Sequence, residues 1–410
     1  MSRTEVDVPP GSGPPPKDDT AFFGQPRGLL TLSGLEVWER FSFLGMQAIL
    51  VLYFADTVAH GGMGMSSGTA ASVSAAYGTL VYLVSVAGGW LADRILGSYR
   101  AVLWGGIVIA CGHYAMAVPT AAMTWAGLGL ISAGTGLLKP NVATMVGKLY
   151  RTDDERRDAG FALYYMAINI GAFAGPLITG WLGDHRGWQW GFSAAAIGMT
   201  FGLIQYVAGR RHLAGRKHAA EFALAPDAMC RAVRLIVAGT AAVALLATLL
   251  AAADRLTMDF VDLLTLISVI APVLYFAVMF ASPRVTAEER GRLRPYIVLF
   301  LASTVFNFIL FQAYSTMMLL AASNAETTLL GYDFPASWYA SAPAAFSSQT
   351  MSLWFLSLAL ANGIQAQTVK LYDDVSKPAY FGVNGALAVA AGLAVMAAAP
   401  WLRRTMHPVH

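Results

Sequence analysis

Runs of about 20 apolar residues recur along nearly the whole chain, and nothing else limits its fold so strongly. A run of that length crosses the hydrocarbon of a bilayer as a helix. Inside a bilayer the backbone must satisfy its own polar groups, so the choice narrows to helices or a closed barrel. The runs lie at roughly 31–55, 69–92, 101–119, 121–146, 159–183, 188–208, 233–253, 262–282, 295–322, 348–367 and 379–401. Only 12% of the 410 residues are charged and 56% are hydrophobic, against roughly 25% charged in a soluble protein. The mean hydropathy is +0.55. The expected fold class is all-α and polytopic, with about eleven transmembrane helices. The two cysteines, Cys111 and Cys230, lie in or beside apolar runs, and no disulfide framework is expected. Forty glycines suit close helix packing in lipid.

Lysine and arginine mark the side of each loop. Arg3, Lys17 and Arg27 precede the first run, and no basic residue follows it. Arg94 and Arg100 follow the second run, and Lys148, Arg151, Arg156 and Arg157 follow the fourth. Arg210, Arg211, Arg216, Lys217 and Arg231 follow the sixth, and Arg284, Arg290, Arg292 and Arg294 follow the eighth. The loops between hold one basic residue or none. The chain is therefore expected to be a multi-pass protein of the cell membrane with a cytoplasmic N-terminus. After the ninth run the alternation weakens to Lys370 and Lys377, then Arg403 and Arg404. Residues 1–20, rich in Pro and Gly, read as a disordered tail and not as a cleaved signal peptide.

The first run carries Glu36-Val37-Trp38-Glu39-Arg40-Phe41-Ser42-Phe43. A charge at bilayer depth costs on the order of 3 kcal/mol, so three within five residues imply pairing or a water-filled path. Spacings of three and four residues put Glu36, Glu39 and Arg40 on one helix face. Lys139, in Gly136-Leu137-Leu138-Lys139-Pro140-Asn141, is a second cation in an apolar run. It could pair with the carboxylates of the first run or snorkel to the interface, and Pro140 should break the backbone ladder beside it. Tyr165 and Asn169 are four apart. They could hold a zwitterion or simply bond to each other. Tyr77 and Tyr82 are equally open, since interfacial tyrosines are common, and His113 reads as a packing donor. In Gly88-Gly89-Trp90-Leu91-Ala92-Asp93-Arg94, followed by Gly97 and Arg100, glycines would let helices approach and Asp93 could accept from a helix N-terminus or an arginine.

These motifs come in an order that resembles the proton-dependent oligopeptide transporters of the major facilitator superfamily. The resemblance rests on Glu36-x-x-Glu39-Arg40-Phe41-x-Phe43, the Gly-x-Leu-Ala-Asp-Arg loop, Gly136–Asn141 and Tyr165-Met166-Ala167-Ile168-Asn169-Ile170-Gly171. It implies a disordered cytoplasmic tail at 1–27, a six-helix bundle at 28–209, and a linker with two extra transmembrane helices at 210–292. An incomplete C-terminal bundle would fill 293–410. It also implies proton coupling through Glu36, Glu39, Arg40 and Lys139, with a peptide site lined by Arg40, Tyr77, Lys139, Tyr165, Asn169, Gln312, Ser315, Trp354 and Ser357. Gly89, Asp93, Arg94 and Arg100 would serve conformational gating. The implied partners are di- and tripeptides, protons and membrane lipid, without nucleic acid. Protons would be the coupling ion, with no cofactor.

Three departures stand out. Phe43 and Leu44 occupy positions where the family usually has two tyrosines, and Phe311 stands where an acidic residue often precedes Gln312. Phe334-Pro335-Ala336-Ser337-Trp338-Tyr339 resembles the entry to the family's eighth core helix, yet the segment from Ser348 through Trp354 and Phe355 already resembles its eleventh. About three helices are thus expected to be missing near 343–348, and the last two runs to cross in the opposite sense. The functional expectation is proton-coupled symport of di- and tripeptides by alternating access. The alternatives are an internally deleted member that does not transport, or a symporter of another small anion such as nitrate. No His cluster or Ser/His pair in the apolar runs suggests an enzyme.

Overall fold

A computed structural model describes residues 19–151, 154–213, 258–283 and 285–345, apart from 326, 330 and 331, with scattered positions at 224–238 and 379–390. Six helices come first: α1 (Arg27–Ala55), α2 (Ser67–Leu91), α3 (Ser98–Met116), α4 (Ala121–Gly147), α5 (Arg156–Arg186) and α6 (Trp188–Ala208). Further along lie α7 (Met258–Ala281), α8 (Ala287–Phe311) and α9 (Thr316–Asn324). Strands β1 (Thr328–Leu329) and β2 (Tyr332–Asp333) pair antiparallel, and a 3₁₀ stretch runs over Ala336–Ala345. The tenth run lies outside the described residues, as do all but scattered positions of the seventh and eleventh, and Trp354 and Ser357.

Side-chain caps set several helix starts. Ser66 accepts from the Thr69 N–H at α2, and Thr120 accepts from the Met123 N–H at α4. Thr286 and Glu289 form a reciprocal capping box at α8. Between α5 and α6 the chain reverses through one residue, Gly187, at φ +102°, a conformation open mainly to glycine. Six helical spans among the described residues are long and apolar enough to cross a membrane. α1 and α3 fall outside that set because Glu36, Glu39 and Arg40, and Arg100 and His113, lower their mean hydropathy.

The helices alternate in direction. The Gly28 end of α1 meets Leu149 and the His212 carbonyl, while at the far end Trp188 donates to Asp56 over 2.8 Å. α1 packs on α5 and α6, α2 on α4, and α3 between α4 and α6. Lipid offers no hydrophobic drive between helices, so close contact must supply it. On α3, Gly105 and Gly112 face Gly134 and Gly127 of α4. A Cβ on Gly134 would come within 2.5 Å of the Gly105 carbonyl oxygen, and one on Gly112 within 2.8 Å of the Gly127 carbonyl oxygen. Gly175 brings α5 equally close to Phe41 and Gly45 of α1.

Pro140 interrupts the backbone ladder of α4 but not the helix, which runs from Ala121 to Gly147. The missing N–H leaves the Gly136 carbonyl without its helical donor, and Gly88 of α2 packs directly on that carbonyl. The ninth apolar run is not one helix. It breaks between α8 and α9 at Gln312–Tyr314, where Ser315 takes φ −135° and ψ −98°. Ser315 Oγ donates to the Phe311 carbonyl at 3.3 Å, and Thr316 Oγ1 donates to Gln312 Oε1 at 3.4 Å. Such local bonds compete with the helical ladder.

Candidate functional site

The charged face of α1 is fully inside the bundle. Glu36, Glu39 and Arg40 are 4%, 0% and 6% exposed. The helix spacing brings Arg40 Nε within 3.1 Å of Glu36 Oε1, and the same guanidinium pairs with Glu39 Oε2. The triad closes within one helix, so one guanidinium offsets carboxylate charge on both sides at low dielectric. Glu36 Oε2 accepts a 2.8 Å hydrogen bond from the Tyr164 hydroxyl of α5. Glu39 Oε1 is buried without a hydrogen-bond partner among the described residues.

The second cation arrives from α4. Lys139 Nζ lies 4.7 Å from the Tyr82 ring centre and 5.4 Å from that of Phe43, within electrostatic reach of Arg40, Glu39 and Glu36. Arg40 Cζ lies 5.4 Å from the same Phe43 ring. Tyr77 stacks on Phe43 at 6.4 Å, with a buried hydroxyl that has no hydrogen-bond partner among the described residues. The cluster is thus three ionisable residues of α1, one of α4, and rings from α1 and α2.

The later helices close onto it. The Phe311 ring, at the end of α8, sits 5.9 Å from Tyr82. Gln312 and Ser315 are buried in the break that follows, and Gln312 Nε2 has no hydrogen-bond partner among the described residues. Tyr314 is buried within electrostatic reach of Arg40. The Ala336–Ala345 stretch docks on α5 beside Pro176. Trp338 Nε1 donates to the Leu177 carbonyl and Ser341 Oγ to the Phe173 carbonyl, each at 2.9 Å.

Other residues singled out from the sequence are placed differently. Tyr165 and Asn169 share a face but are only partly buried, and Asn169 Nδ2 donates to the Tyr165 carbonyl of its own helix at 3.1 Å. It is Tyr164, not Tyr165, that reaches the charged triad. The sequence does hold a signal for this: Tyr164 lies seven residues before Gly171 and eleven before Gly175, on the small-residue side of α5 that faces α1. In the loop after α2, Asp93, Arg94 and Arg100 are exposed around a π-helical turn, Ala92–Leu96. Asp93 makes no ion pair among the described residues and caps no helix there, and the Arg94 carbonyl accepts from the Leu224 N–H at 3.3 Å. Gly89 has room for a side chain, with only Pro140 atoms near 3.8 Å, whereas its neighbour Gly88 makes the helix contact. Among the described residues no group of His, Cys, Asp and Glu is placed to hold a metal ion.

Known proteins share this arrangement. The sequence profile of the POT family matches residues 99–342. The uncharacterized transporter YclF of Bacillus subtilis is 32% identical over 95% of this chain and 96% of its own length. That alignment spans 479 positions, 69 more than this chain has residues, so at least that many positions of the relative face a gap. The di-/tripeptide transporter of Lactococcus lactis subsp. cremoris is 41% identical over 79% of this chain and 67% of its own. A crystal structure of the peptide transporter POT in complex with sulfate is 34% identical, covers 95% of this chain and 97% of its own, and superposes with a TM-score of 0.87. Profile, relatives and fold agree with one another, and the chain belongs to the POT family of major-facilitator-fold membrane transporters, not to any class of enzyme.

Proposed function

We propose that the chain imports di- and tripeptides in symport with protons by alternating access. One observation carries this reading: a carboxylate pair, with one oxygen unpartnered among the described residues, sits beside two cations and a ring-lined face, all buried in a membrane bundle. A peptide carboxylate fits the cations Arg40 and Lys139. Its ammonium fits the amides and tyrosines, Asn169, Gln312, Tyr77 and Tyr165, with Ser315 beside Gln312. Trp354 and Ser357 complete the proposed lining. A proton on Glu36 or Glu39 would change which ion pairs form with Arg40 and Lys139, and so bias one access state over the other. Gly89, Asp93, Arg94 and Arg100 serve gating in this reading, and the N-terminus is cytoplasmic. Support comes from the di-/tripeptide transporter of Lactococcus lactis subsp. cremoris at 41% identity.

A second reading has its own observation. The family profile stops at residue 342, and the alignment with YclF needs at least 69 positions that this chain lacks. A C-terminal half short of about three helices is a poor partner for rocking about a midplane site. In this reading the chain folds in the membrane but does not transport. Uptake of a labelled dipeptide into proteoliposomes under an inward proton gradient separates the two, with Glu39→Gln as control. Gradient-dependent uptake lost in Glu39→Gln supports symport, and uptake no greater than in empty liposomes sinks it. Nitrate uptake in the same vesicles checks the anion alternative.

A further inference from the structure

Residues 19–26 fold back as a hook just before α1, and its tip is strained. Phe23 takes φ +50°, and among the described residues no other non-glycine residue has a positive φ. Gly24 follows at +78°. The Phe22 and Gln25 amides donate to each other's carbonyls at 3.0 and 2.8 Å, which closes the turn. Such a conformation persists only where its surroundings impose it, and here they do. The Tyr150 hydroxyl donates to the buried Gln25 Oε1 at 2.9 Å. Arg156 Nη1 donates to the Asp19 and Gly24 carbonyls at 3.4 and 3.5 Å, while its Nε and Nη2 hold the Asp154 carboxylate at 3.1 and 3.0 Å. Asp19 Oδ2 in turn accepts from the Arg27 N–H that opens α1, at 2.9 Å. Phe22 packs on the core, but Phe23 points outward and is 81% exposed. The level of this tip is set by Gly28, which meets Leu149 and the His212 carbonyl. The start of α1 and the ends of α4 and α6 are therefore level. Arg27, Lys148, Arg210 and Arg211 adjoin those contacts in sequence, and basic residues at helix ends mark a membrane interface. Leu30, in the first turn of α1, is 47% exposed.

We propose that this hook is an interfacial anchor: Phe23 enters the boundary between headgroups and acyl chains, and Tyr150 and Arg156 pin it there. Aromatic anchors at that level set the depth and tilt of a membrane helix. Because the pins come from the segment leading into α5 and from its first residue, the anchor gives α1 and α5 a common depth. The partner is lipid hydrocarbon, not an anionic headgroup. Arg27 and Arg156 each stand beside a carboxylate, Asp19 at 3.9 Å and Asp154 at 3.0 Å, so what the hook presents outward is the ring. The anchor requires only that the bundle lies in a membrane, and holds whether or not the chain transports.

Spin labelling of the full-length protein in phosphatidylcholine liposomes tests this. A nitroxide is attached at Phe23→Cys, with Cys111→Ser and Cys230→Ser removing the other thiols. Oxygen, which concentrates among acyl chains, should relax the label several-fold more than a water-soluble nickel chelate does. Adding phosphatidylglycerol should leave that ratio unchanged. Arg156→Gln should lower the ratio and make the label more mobile. A label relaxed mainly by the chelate stands in water, and a label shielded from both reagents is covered by protein; either result overturns the anchor. A ratio that rises only with phosphatidylglycerol overturns the choice of hydrocarbon over headgroup. A ratio and mobility that Arg156→Gln does not change overturn the pinning role of Arg156. If the cysteine variant does not fold, Phe23→Trp carries the test. Lipids brominated on the acyl chain should then quench the emission that the new tryptophan adds, and unquenched emission sinks the proposal.

Discussion

Two polar interruptions meet in the middle of this molecule, and the chain handles them in opposite ways. In α1, Glu36, Glu39 and Arg40 interrupt an apolar run, yet the helix continues for 29 residues. At Gln312–Thr316 only uncharged polar groups interrupt the run, and the helix breaks. The stronger charges do less damage because their partners lie one turn away on the same helix. Arg40 reaches both carboxylates without drawing on the backbone. Ser315 and Thr316 have short side chains that bond back to the preceding turn, but Thr304 bonds back to the Phe300 carbonyl inside unbroken α8, so a back-bond alone does not end a helix. In α1, partner geometry keeps a membrane helix whole despite its charges.

The sharpest way to break the contrast is to remove the cation. Arg40→Met leaves two buried carboxylates unpaired, and breaking a buried ion pair costs about 3–5 kcal/mol. A large fall in the thermal unfolding midpoint of the purified protein is expected. A midpoint within a degree of wild type would mean that the triad is not closed as described. Tyr164→Phe is gentler, since it removes one hydrogen bond to a charged group, worth about 1.5–3 kcal/mol. It should destabilise by less than Arg40→Met. Tyr165→Phe should change stability hardly at all, because Tyr165 is half-exposed and no hydroxyl bond to the triad is present. Equal effects from the two tyrosines would contradict the placement of α5.

The continuity of α1 also depends on what it leans on. Gly175→Val would place a Cβ 2.5 Å from the Phe41 carbonyl oxygen and 3.0 Å from the Gly45 amide nitrogen. α5 must then move away, at about 1–3 kcal/mol for overpacking, and Tyr164 moves with it. Combined with Tyr164→Phe, the loss should fall short of additive, because the first change already lengthens the bond that the second deletes. A fully additive double-mutant cycle would uncouple the α1–α5 seam from the charged site.

Much of this was legible in the sequence because membrane helices announce themselves by length. The run at 188–208 coincides with α6, and that at 121–146 differs from α4 by one residue. The charges of α1 could be read as a paired face from spacing alone, since an i, i+4 ion pair needs nothing beyond its own helix. What could not be read depends on a second helix. Pro140 frees a carbonyl, but that Gly88 of α2 covers it shows only once α2 is in place. The resemblance points to Tyr165 on α5, whereas the side of α5 that faces α1, set by Gly171 and Gly175, carries Tyr164. The break after Phe311 has neither Pro nor Gly anywhere from Tyr296 to Asn324, so the usual punctuation is missing around it.

The smallest expected effect probes the other side of the comparison. Gln312 is 3% exposed, and its Nε2 has no hydrogen-bond partner among the described residues. Replacing it by Leu removes an unsatisfied donor, which offsets the loss of one long 3.4 Å contact from Thr316. The net change should lie within about 1 kcal/mol of zero, in either direction. The same kind of polar-to-apolar exchange that is costly at Arg40 should therefore be nearly silent here. Ser315→Ala goes one step further by removing the back-bond to Phe311, which leaves the backbone free to resume its ladder. Hydrogen exchange at residues 312–316 should slow in Ser315→Ala while the unfolding midpoint barely moves. Unchanged exchange would show that packing against α1 and the Ala336–Ala345 stretch, not the hydroxyl, imposes the break.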